Sequence, residues 1–130
     1  MCARVAQLLS ALDGLGLENE TIVMFSSDHG PEQPERALGN AAKVELAKAT
    51  NNMGSTGIAR GDKHTTLEGG VRIPFIVRWP GHVPANAESA CTTSHVDLLP
   101  TLLQLAGVPA PQPIDGVSVA NVWLGQSAPD

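Results

Sequence analysis

Apolar residues recur along the first fifteen positions at Val5, Leu8, Leu9, Leu12 and Leu15. That spacing predicts a helix over residues 2 to 13, lying on a core and ended by the Gly14 and Gly16 region. The pattern then changes to a compact run of β-formers, "TIVMF" from Thr21 to Phe25, as expected of a strand buried on both faces. A helix, a short turn and a buried strand form the rhythm of an α/β sheet. From Pro31 to about Arg60 the chain is polar and Ala-rich with only a weak helical pattern, an excursion from the sheet rather than a domain. A connection of that length with few core residues is uncommon unless it borders a site.

A second strand is predicted in "IPFIVRWPG", Ile73 to Gly81, closed by a Pro-Gly turn. Pro74 makes it an edge strand, or leaves its own position outside the ladder. "SHVDLLPTLLQLA", Ser94 to Ala106, reads as a helix opened by a Ser94/Asp97 capping box. Pro100 falls in its first turn, Leu98, Leu102 and Leu105 form its buried stripe, and Gly107 is its stop. Val117 to Leu124 is a last packing segment in a Pro-rich tail, and no internal repeat is present.

At 130 residues and 42% hydrophobic content the chain has the length and material of one ordinary domain. Eight basic against thirteen acidic residues, with no basic cluster, disfavour a nucleic-acid surface. A small anion held at one local site is compatible with that balance. No apolar run approaches the roughly 20 residues that cross a bilayer, and Met1 is followed by amphipathic sequence rather than a signal region. The chain is accordingly expected to begin inside a fold or to begin a soluble protein. Cys2 and Cys91 stand in no metal-type spacing and leave the compartment open.

Chemistry concentrates in two places. "SSDHGPE" puts Asp28 and His29 at the end of the first strand, where α/β sheets expose their functional edge. Neighbouring strand residues point to opposite faces, so both side chains reach one ion only if the chain turns sharply, as Gly30 and Pro31 permit. The alternative is an Asx-type turn beside a partly exposed histidine. In "RGDKHTTLEGGVR", Lys63 lies in a Gly-bounded, hydroxyl-rich loop as a compact charge suited to anionic oxygens; its alternative is a solvated surface lysine. Gly69 and Gly70 allow close backbone approach, and Glu68 with Arg72 is expected to form an internal ion pair fixing the loop. His64 and His82 are expected in solvent, Asp97 is explained by capping, and Trp79 and Trp123 by packing.

"SDHG", "GDKHTTLEGGVRIPFIVRWPGH", "SHVDLLPTLLQLAGV" and "IDGVS", in this order and spacing, resemble the later part of the catalytic domain of the sulfatases. The likeness is to the arylsulfatase and N-acetylgalactosamine-6-sulfatase type, and it is weakest over residues 31 to 56. The "K-x-T-T-x-E-G-G-x-R-x-P" block is specific, whereas "SDHG" is shared with related phosphatases and phosphodiesterases. The resemblance implies an alkaline-phosphatase-like α/β sandwich of helices around a central mixed sheet, and hydrolysis of a sulfate ester on a small molecule or carbohydrate. It implies that Asp28 and His29 help hold a divalent metal, Ca2+ by family precedent, and that Lys63 binds a sulfate oxygen. His29, in place of the commoner Asn, gives nitrogen to an ion that prefers oxygen.

Sulfatases carry a cysteine or serine in C-x-P-x-R or S-x-P-x-R, converted to formylglycine, and neither Cys2 nor Cys91 has that setting. The paired N-terminal aspartates of the family's metal site are absent too, and one Asp–His pair falls short of a six- to eight-ligand calcium shell. The expectation is therefore a partial sulfatase domain, inactive alone, whose nucleophile lies elsewhere. A phosphodiesterase or phosphonate monoester hydrolase of the same superfamily, and a non-catalytic degenerate sulfatase module, are the alternatives. The family suggests export to the periplasm or beyond the cell.

Overall fold

The computed structural model describes residues 2–32 and 54–126. The chain divides into two compact units, one of Met1–Val23 with Val77–Asp130 and the other of Met24–Ile76. The predicted weak helix of the 31–60 excursion falls almost wholly at 33–53, outside the described residues. Residues 54 to 60 are turn and irregular chain.

In the first unit, α1 spans Cys2–Leu15 and is followed by Gly16 at φ +66°, the left-handed stop that its glycine supplies. The expected stripe is only half covered: Val5, Leu9 and Leu12 are half-buried, while Leu8 and Leu15 are exposed. Among the described residues too little chain packs over α1 to bury it. The capping box at Ser94 and Asp97 forms, with Ser94 N–H donating to Asp97 Oδ2 at 2.8 Å. It opens a 3-10 turn, His95–Asp97, that runs into α3, Leu98–Leu105. Leu98, Leu102 and Leu105 are half-buried, a correction to the stripe predicted there; the buried residues of α3 are Pro100 and Thr101. They face α4, Ala120–Trp123, where Val119, Ala120 and Trp123 form the apolar core of the described residues.

Two strands, β1 (Val23–Ser26) and β2 (Phe75–Arg78), pair in a two-stranded sheet. Pro74 stays outside β2, as its missing N–H requires, and its carbonyl accepts from Ser26 Oγ at 3.1 Å. β1 is not buried on both faces: its residues alternate between half-buried and exposed. An apolar run fixes which residues avoid water, not how many layers cover them. A short helix, α2 (Glu68–Val71), belongs to the second unit. Among the described residues no helix is long and apolar enough to cross a membrane.

Candidate functional site

The site residues all lie in the second unit, on the turn after β1 and on the loop before α2. The turn is built by Ser27, whose hydroxyl donates to the His29 carbonyl at 2.8 Å, and by Gly30, whose N–H donates to the Gly70 carbonyl at 2.8 Å. A side chain at Gly30 would run into the Gly69 carbonyl, so the close approach of the two segments requires glycine there.

The sharp turn brings Asp28 and His29 into contact, with His29 Nε2 3.2 Å from Asp28 Oδ2. Nδ1 of the same ring lies 2.8 Å from the Gly30 carbonyl, which can only accept, so Nδ1 carries the proton of the bond. In the neutral imidazole, Nε2 then presents a lone pair beside a carboxylate. Two acceptors at that distance repel unless a cation lies between them or the ring is protonated. A metal-ligating histidine has this same arrangement, with its second nitrogen donating to a backbone carbonyl. The donor chemistry of the pair therefore fits part of a divalent cation shell. Among the described residues no third His, Cys, Asp or Glu joins it in a metal-holding group.

Lys63 is carried on a loop pinned from within. Asp62, buried, accepts His64 N–H on Oδ1 at 3.2 Å, and its own N–H donates to Thr65 Oγ1 at 3.1 Å. Thr65 returns both its hydroxyl and its N–H to the Asp62 carbonyl at 2.9 Å, which gives the first threonine of the K-x-T-T block a structural purpose. Lys63 N–H donates to the Pro31 carbonyl at 3.1 Å, so the lysine is tied to the turn that bears Asp28 and His29. Its Nζ lies 3.7 Å from Glu32 Oε2.

Glu32 has no part in the sequence reading, and it joins the two segments. Its Oε1 is 3.2 Å from His64 Nε2. The hydrogen bond from His64, and secondarily the charge of Lys63, hold its carboxyl below the usual carboxylate range against an opposing effect of partial burial. The signal in the sequence is its place in "SDHGPE", a carboxylate three positions past His29. His64 is correspondingly half-exposed but paired, rather than simply solvated. Arg72 and Glu68 do form their pair, at 2.9 Å, but it is exposed rather than internal because α2 turns both side chains outward. Such a surface i,i+4 pair contributes roughly 0.3–0.5 kcal/mol. His82 is exposed and stacks on Trp79 with ring centroids 3.9 Å apart, while the Trp79 indole N–H donates to the Asn19 carbonyl.

The family model described as Sulfatase matches residues 3–108. The chain is 42% identical over 123 residues to a steryl-sulfatase of Rattus norvegicus, covering 93% of this chain and 20% of the relative. It is 39% identical over 124 residues to arylsulfatase A of Homo sapiens, covering 95% and 22%. Among solved structures it is similar to one described under metabolism of multiple glycosaminoglycans by Bacteroides thetaiotaomicron, with a TM-score of 0.73 and 33% identity, covering 93% of this chain and 24% of that one. The chain thus spans about a fifth of the length of the curated relatives it matches. The α/β fold of alkaline-phosphatase type expected from the sequence is the one these likenesses give, represented in part. They do not favour the phosphodiesterase and phosphonate hydrolase alternatives.

Proposed function

The chain belongs to the sulfatase family, and on that premise we propose that it supplies part of the metal and sulfate-binding centre of a sulfuric ester hydrolase. The observation that carries the reading is the Asp28–His29 contact, with Nδ1 committed to a carbonyl and Nε2 turned to the carboxylate. Asp28 Oδ2 and His29 Nε2 are the donors that would hold a divalent cation, Ca2+ by family precedent. The remaining oxygens of its shell would come from residues other than the described ones. When bound, the cation supplies Lewis-acid polarisation of a sulfate oxygen.

Lys63 binds the sulfate through its ammonium and neutralises charge that builds on oxygen as the ester bond breaks. A formylglycine nucleophile would be supplied by a C-x-P-x-R or S-x-P-x-R signature elsewhere in the full-length protein. The substrate class is a sulfated small molecule or carbohydrate, a reading supported by the sulfatase names of the relatives and by the glycosaminoglycan setting of the solved neighbour.

The test is hydrolysis of an aryl sulfate by the full-length protein, compared with an aryl phosphodiester. The sulfate ester is expected to be the preferred substrate. Lys63→Ala should lower kcat by about 10²–10³-fold, the range for loss of one charge-stabilising donor, with the thermal midpoint little changed because Lys63 is partly exposed. Near-normal kinetics of Lys63→Ala, or a preference for the phosphodiester, would overturn the reading.

A further inference from the structure

We propose that Glu32 is a positioning residue for Lys63, its carboxylate spanning the Lys63 ammonium and the His64 imidazole so that the ammonium is held at the turn after β1. The inference rests on the assignment of Lys63 as the sulfate-binding cation. A lysine carries about 2 kcal/mol of rotamer entropy on its flexible stem. The hydrogen bonds at Asp62, Thr65 and Pro31 fix the backbone of Lys63 but leave that stem free.

Among the described residues, Glu32 is the side chain that reaches the ammonium. Its two oxygens go to different partners, Oε2 to Lys63 Nζ at 3.7 Å and Oε1 to His64 Nε2 at 3.2 Å, which fixes the carboxylate plane as well as its position. About a third of each side chain, Glu32 and Lys63, is exposed, so the pair is open to an arriving anion while partly sheltered from water. An ammonium has three N–H donors, and an ion pair at 3.7 Å leaves them free to turn toward sulfate oxygens. A carboxylate is ionised at neutral pH, as this bridging role needs, and the His64 hydrogen bond and the Lys63 charge favour that form further.

A positioning role and a merely structural one differ in how Glu32 depends on Lys63. Full-length wild type, Glu32→Gln, Lys63→Ala and the double variant are compared on an aryl sulfate. Glu32→Gln should lower kcat about tenfold, within the cost of a small misplacement of a catalytic group, with KM unchanged or lower because a negative charge beside the anion is gone. In the Lys63→Ala background the same substitution should change kcat less than about twofold, since residues acting as a unit are not additive. Equal fold-losses in both backgrounds, or no loss in Glu32→Gln alone, would overturn the proposal.

A wild type that leaves the sulfate ester intact would refute the sulfatase reading instead. A second readout then decides Glu32 without turnover: 13C NMR of the methylated lysines, with the Lys63 signal assigned by its loss in Lys63→Ala. That signal should change in chemical shift in Glu32→Gln, because the carboxylate 3.7 Å from the ammonium is gone. An unmoved signal would mean that Glu32 does not hold Lys63.

Discussion

Thr101 is fully buried, and both halves of its hydroxyl are used. It donates to the Asp97 carbonyl at 2.6 Å and accepts the Val119 N–H at 3.0 Å, tying the first turn of α3 to the entry of α4. Asp97 completes the junction by accepting Val117 N–H at 2.9 Å. Thr101→Val keeps the shape but leaves the buried Val119 N–H without an acceptor, a loss of about 1–3 kcal/mol. Urea unfolding of the full-length protein measures it, and a change within about 0.5 kcal/mol, the range of inert surface sites, would remove the hydroxyl from the account. The cap at Ser94 and Asp97 was legible because capping has a sequence signature. Thr101 was not, because an apolar stripe is counted without its polar members and the partner lies 18 positions away. Glu32 escaped for a related reason: its place in "SDHGPE" is a local signal, but its partner His64 lies 32 positions away.

At the scale of elements, the two glycines of the lysine block act by having no side chains. Gly69 and Gly70 are buried in α2, and a Cβ on Gly70 would meet the carbonyls of Asp62 and Thr65, the two residues that pin the Lys63 loop. Gly70→Ala must push that loop aside, at a cost of about 1–3 kcal/mol for overpacking, with aryl sulfate turnover falling as Lys63 moves. Gly14 is the control: it lies inside α1 with nothing within 4 Å of an added Cβ. Gly14→Ala should leave activity intact and add about 0.5–1 kcal/mol by removing backbone entropy from the unfolded chain. Equal effects at the two positions, read by thermal unfolding and by turnover, would mean that the close packing around Gly70 is not what shapes the loop. Element type was legible along most of the described chain, since β-former runs, a Pro-Gly turn and a capping box each act within a few residues. How much of each element is covered was not, because that depends on what packs above it.

At the scale of the whole molecule, both units leave large apolar side chains in water. Leu8, Leu15, Val96 and Leu99 are exposed in one unit, and Met24, Val71 and Ile76 in the other. Scattered exposed apolar residues are ordinary, but Leu8, Leu15 and Met24 lie at predicted core positions of α1 and β1, and the chain spans about a fifth of the sulfatases it matches. The physical consequence is that one substitution should have two different costs. Ile76, 61% exposed in β2, can be cut to Ala in the 130-residue chain within about 0.5 kcal/mol, as at a surface site. If a longer protein completes the sheet of the sulfatase fold over it, the same Ile76→Ala there should cost about 2–5 kcal/mol, the range for emptying a packed aliphatic site. Matched denaturation of the two chains makes the comparison. A similar small effect in both would place Ile76 in water in the complete enzyme, and the exposed rows would then belong to a surface rather than to an interior awaiting its other layers.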